Sequence, residues 1–188
     1  MSGLLPRRAL LLAPSAVALV GGSALLLAVW EQRKRTPPVW RPDQSGRLVG
    51  HRLPAFALVG LAGQPGFTSA DIAVTGRTVL INFFASWCMP CRLEAPVLLA
   101  LSQRGLPIWG VDYQDKPDAA AAFLGLIHDP YQRVGCDRTG EVGHLFGLEG
   151  VPESFLVDRD GVVRWHWAGG LSDDAVRQYL DPLLPRGA

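Results

Sequence analysis

Only three of the 188 residues are cysteine and only four are histidine, and the formal net charge is +1. Near-balanced charge excludes the basic surface that nucleic acid binding requires. Arg7 and Arg8 precede any acid, and the rest of the chain is slightly negative. His51, His128, His144 and His166 are scattered without ligand spacing, so neither a metal centre nor any other resident cofactor is expected. Internal repeats and low-complexity segments are also missing. The length suffices for one folded domain plus an appendage, not for two full domains and a membrane segment.

The appendage is legible. Ala9 to Trp30 carries no charge over 22 residues, and a helix of that length spans a hydrocarbon layer of about 30 Å. A cleaved secretory signal is the alternative, but its apolar stretch is usually about 7–15 residues and ends in a small-x-small site. The expected organisation is therefore a cytoplasmic stub (1–8), a transmembrane anchor (9–30), a Pro- and charge-containing tether (31–50) and a folded domain (51–188). Basic residues flank the run on both sides, Arg7 and Arg8 before it and Arg33, Lys34 and Arg35 after it. The positive-inside rule therefore does not orient it.

Within the domain, Leu53 to Gly60 reads as a strand or extended arm, and Thr68-Ser69-Ala70-Asp71 as a capping box opening a helical turn. Thr78 to Ala85 is apolar and β-rich, the pattern of a central strand buried on both faces. Cys91 to about Gln103 is helical, with Pro96 expected to kink it. Leu106 to Asp112 reads as a second buried strand and Pro117 to about Ile127 as a helix. Phe155–Val157 and Val162–Trp167 flank the turn Asp158-Arg159-Asp160-Gly161 as a hairpin. Ser172 caps a last helix reaching about Leu180. The order βαβα followed by a hairpin and a helix implies an α/β domain.

Trp87-Cys88-Met89-Pro90-Cys91 places two thiols two residues apart, after a buried strand and at a helix start. Unpaired N–H groups and the helix dipole there stabilise a thiolate, which makes Cys88 the nucleophile. The i, i+3 spacing puts Cys91 within reach of a mixed disulfide at Cys88, the position of a resolving thiol. Zinc binding would need further ligands. A purely structural bridge would close too short a loop to constrain the unfolded chain much. Cys136 stands apart and reads as a small buried hydrophobe. Trp165-His166-Trp167 reads as a packing strand rather than a haem ligand.

Asn82 to Pro96 (NFFASWCMPCRLEAP) resembles the active-site strand and helix of thioredoxin-like proteins. It is closest to the DsbE/CcmG thiol:disulfide interchange proteins of cytochrome c biogenesis. Gly150 to Gly161 (GVPESFLVDRDG) and Gly110 to Asp115 (GVDYQD) are similar to two further blocks of that family, and the resemblance runs from about His51 onwards. It implies a thioredoxin-like fold, catalytic Cys88 and Cys91, and substrate binding at Trp87, Val151 and Pro152, with Val151-Pro152 a cis bond. An isolated reading of the sequence would make that bond an ordinary trans one. It further implies redox tuning by Glu94 and Glu153, an acid function that Asn82 cannot supply because an amide does not titrate. Implied partners are apocytochrome c or another disulfide-bearing protein and a membrane thiol-relay donor, at the periplasmic face of a bacterial inner membrane. A general periplasmic disulfide reductase and a redox-inert binding adaptor remain open.

Overall fold

The structure is a computed structural model and describes residues 46 to 184. The expected stub, anchor and first part of the tether lie outside the described residues. Among those described, no helix is long and apolar enough to cross a membrane.

Seven strands form one sheet: β1 (Ala57–Gly60), β2 (Phe67–Thr68), β3 (Val79–Phe84), β4 (Ile108–Tyr113), β5 (Arg133–Asp137), β6 (Glu153–Val157) and β7 (Val163–Ala168). Their spatial order is β2-β1-β5-β4-β3-β6-β7, with β3, β4 and β5 parallel and the remaining pairs antiparallel. The helices are α1 (Ser69–Val74), α2 (Met89–Gln103), α3 (Pro117–Ile127), α4 (Glu141–Phe146) and α5 (Asp173–Ala175), the last continuing as a π-helical turn over Val176–Leu180. This is the thioredoxin-like mixed sheet between helices that the resemblance implies.

β3 is buried at every position, so its alternating side chains feed two cores. Val79, Ile81 and Phe83 join α1 and α4 residues such as Ile72 and Phe146 on one face. On the other, Leu80 meets Leu98 and Leu101 of α2, and Phe84 meets Phe123 of α3. The capping box forms as expected: Thr68 Oγ1 accepts the Asp71 N–H, and Asp71 Oδ2 accepts the Thr68 N–H. α2 runs unbroken through Pro96, which lies on its exposed side.

Besides the two-residue β2, two elements have no counterpart in the sequence reading. Strand β5 is short, with Gly135 at its centre and charged residues at both ends, so it shows no apolar run. Helix α4 has six residues between left-handed Gly140 and Gly147, too few for a helical period. The tether also ends earlier than expected. Leu48 and Val49 pack against the core, and the Gly50 N–H donates to Val163 O at 2.8 Å, which joins Gly46–Gly50 to the domain.

Candidate active site

The parallel strands end on one edge of the sheet, and the chain leaving β3 there turns directly into α2. Cys88 is the N-cap of α2 in an extended conformation, with Pro90 in the first turn where its missing N–H costs no hydrogen bond. Cys88 and Cys91 are joined as a disulfide with Cα atoms 5.3 Å apart. The Cys91 N–H points at Cys88 Sγ, 3.1 Å away, the contact that would stabilise a thiolate at Cys88 once the bridge opens. Both cysteines are buried, whereas Trp87 and Met89 beside them are exposed, at 61% and 62%. An apolar rim therefore surrounds a shielded bridge.

Val151-Pro152 is a cis bond, as the resemblance implies. Val151 O lies 3.5 Å from Cys88 Sγ, which brings the chain entering β6 against Cys88 although 63 residues separate them in sequence. The Pro152 carbonyl accepts the Gly169 N–H at 2.8 Å, anchoring this edge to β7.

Beneath the bridge lies a buried polar cluster. Glu94, one turn along α2 from Cys91, is 1% exposed. Its Oε1 accepts from Asn82 Nδ2 at 2.9 Å and its Oε2 from the Leu171 N–H at 2.8 Å. Asn82 Nδ2 also donates to Ser154 Oγ at 3.0 Å, and the Tyr131 hydroxyl donates to Asn82 Oδ1 at 2.6 Å. Burial pushes the Glu94 carboxyl up to about 7, against the opposing pull of the Leu171 and Asn82 donors. The Tyr131 hydroxyl is driven well above its ordinary value, first by burial and then by the Glu94 charge.

Glu153 does not join this cluster. Side chains alternate along β6, so Ser154 faces α2 and Glu153 faces the opposite core. Its Oε1 accepts the N–H groups of Glu149 at 2.9 Å and Gly150 at 3.1 Å, and its Oε2 lies 2.7 Å from His166 Nε2. Any influence of Glu153 on the thiols thus passes through the loop carrying Val151.

Asp112, near the end of β4, is a further buried acid, with the Cys136 thiol as a hydrogen-bonding neighbour. Burial raises it to about 7, and the neighbouring Asp115 carboxylate adds to the effect. The Cys136 thiol faces it from β5 and is raised in turn, by burial first. Cys136 is free and buried in an apolar cluster, as the sequence reading expects. His166 stacks on Phe155, and Trp165 and Trp167 stack on each other on the opposite face.

Tyr131, Ser154 and His166 are the site's contributions that sequence reasoning does not assign. Tyr131 lies in a loop with no motif, and the other two acquire their partners only through strand register.

The Redoxin family profile matches residues 48–181 of the chain. The thiol:disulfide interchange protein HelX of Rhodobacter capsulatus is 43% identical over 137 residues, 73% of this chain and 77% of its own. The chain belongs to the Redoxin family, in its DsbE/CcmG branch. The thiol:disulfide interchange protein DsbE of Escherichia coli is 32% identical over 177 residues, 94% of each chain. A crystal structure described as DsbE of Chlorobium tepidum superposes with a TM-score of 0.60 at 31% identity, over 73% of this chain and 98% of its own. Membership in this branch, with a helix-capping Cys88–Cys91 pair, makes the protein a disulfide oxidoreductase.

Proposed function

We propose that the protein is a membrane-anchored reductant of disulfides on the periplasmic side of a bacterial inner membrane, acting on the haem-attachment cysteines of apocytochrome c. The observation that carries this reading is the shielded Cys88–Cys91 bridge set against the Val151-Pro152 edge, with the buried Glu94 carboxyl one helical turn from Cys91. A dithiol meant to meet a particular extended partner needs a backbone edge beside the nucleophile, and the Val151 backbone ahead of Pro152, which has no N–H of its own, offers one. The exposed Trp87 precedes Cys88 directly in the chain, its indole N–H donating to Gln114 O at 3.4 Å.

Reduced Cys88 attacks one sulfur of the partner's disulfide as a thiolate. That S–S bond breaks, a mixed disulfide forms, and the partner's departing sulfur takes up a proton. Cys91 then loses its proton and attacks Cys88 Sγ, releasing the partner's second thiol. The partner has gained two electrons and the protein is left with the Cys88–Cys91 bridge. Glu94, poised near 7, accepts the Cys91 proton at neutral pH. A membrane thiol-relay protein returns the electrons. The anchor reading is supported by the uncharged run Ala9 to Trp30 and by the E. coli DsbE match, which covers 177 of the 188 residues and so takes in most of that run.

A Cys91→Ser variant tests the reading, since it leaves the mixed disulfide at Cys88 unresolved. The expected adduct contains a c-type apocytochrome. Other periplasmic proteins in its place would make the enzyme a general reductase, and no adduct with any partner would reduce it to a redox-inert adaptor. A reporter fused after Ala188 is expected to work only outside the cytoplasm.

A further inference from the structure

His166 is partly buried and lies apart from the Asn82–Glu94–Ser154 cluster, on the other face of the sheet. It stands on β7 with its ring stacked on Phe155, centroids 4.4 Å apart, and its Nε2 is 2.7 Å from Glu153 Oε2. A phenyl ring would meet the stacking requirement equally well, so the contact to Glu153 is what calls for an imidazole. Gly46 packs over the ring, close enough that a Cβ there would come within 2.7 Å of Nδ1. The imidazole is thus held against Phe155 with Gly46 packed close to it.

Glu153 passes this constraint on. Its Oε1 holds the amides of Glu149 and Gly150, both exposed residues of the turn leading into Val151-Pro152. Val151 O in turn lies 3.5 Å from Cys88 Sγ. The terminal torsion of a glutamate is soft, and one anchored oxygen leaves the carboxylate free to swing. Donation from Nε2 to the second oxygen removes that freedom.

We infer that His166 is a positioning residue for the disulfide exchange, orienting Glu153 so that the 149–151 backbone presents its edge beside Cys88 in the conformation an extended substrate pairs with. The inference rests on the reading of Val151-Pro152 as the substrate edge. His166 touches no reacting atom. It acts on how a peptide disulfide is presented, not on the intrinsic reactivity of the thiols.

The test compares the full-length reduced protein with His166→Phe, which keeps the stack and loses the donor, and His166→Gln, which retains an N–H. Two substrates are used: a peptide cyclised through a Cys-x-x-Cys disulfide, and a small aromatic disulfide that does not extend along the edge. The ratio of peptide rate to small-disulfide rate is expected to fall about tenfold in His166→Phe and to recover to within about twofold of wild type in His166→Gln. In the wild-type protein, the Glu149 and Gly150 amides are expected to exchange slowly with deuterated solvent despite their exposure. An unchanged ratio in a folded His166→Phe protein, or unprotected amides in the wild type, overturns the inference alone. A wild-type protein that fails to reduce the peptide overturns the reductase reading, and this inference with it.

Discussion

Glu94, the proton acceptor of the proposed reaction, also bears on stability. Its carboxyl is raised from an ordinary 4.5 to about 7 because burial disfavours its charged form more than two hydrogen bonds favour it. A group raised on folding contributes stability that is complete below its unfolded value and is lost as pH rises through its folded value. Going from pH 5 to pH 8, the stability of the wild type relative to Glu94→Gln should therefore decline, by on the order of 3 kcal/mol in urea titrations. Asp112→Asn should show the same sign with a similar amplitude, because the Asp112 carboxyl is raised from 3.8 to about 7. The same Glu94→Gln variant should flatten the neutral-pH dependence of the resolving step, read by the decay rate of a pre-formed mixed disulfide. Cys136 makes a separate prediction. The reduced native protein should release two equivalents from an aromatic disulfide reagent, those of the Cys88 and Cys91 dithiol, and the third only in denaturant, because Cys136 is buried and its thiol is raised.

At the scale of elements, β3 and its neighbours decide what reaches the site. The alternation that sends Phe83 to one core and Phe84 to the other also sends Asn82 towards Glu94 and Ser154. β4 takes part by leaving space. A Cβ at Gly110 would lie 2.9 Å from the Phe84 ring and 3.0 Å from the Tyr131 ring, which themselves stack with centroids 4.9 Å apart. Tyr131 reaches Asn82 only because this position on β4 is a glycine. Gly110→Ala should cost about 1–3 kcal/mol by overpacking, measured by urea denaturation. It should also weaken the tyrosine hydroxyl bond, read as a shift in the ultraviolet titration of Tyr131.

Considered as a whole molecule, the folded unit begins before the position that composition suggests. A chain starting at Gly46 should fold with nearly the stability of the full protein and retain dithiol exchange. One starting at Leu53 loses Leu48, Val49 and the Gly50–Val163 hydrogen bond, and should be less stable by about 2–4 kcal/mol in the same denaturant assay. Its peptide rate should fall as well if Gly46 helps to clamp His166.

The sequence by itself determined the local features. Cys88 and Cys91 at a helix start, the Thr68 capping box and the hairpin at Gly161 rest on contacts between residues a few positions apart, where spacing and side-chain type are sufficient, and the buried β3 shows itself as an unbroken apolar run. β5 and α4 were not legible, since a short strand centred on glycine and a six-residue helix carry too little periodicity. The tertiary structure alone decided the rest. Tyr131, Asn82, Glu94 and Ser154 meet only after strands β3 and β6 adopt their register, and no local pattern specifies a register between strands 72 residues apart. The same register turned Glu153 away from the cysteines and towards His166, because adjacent residues on a strand face opposite sides of the sheet.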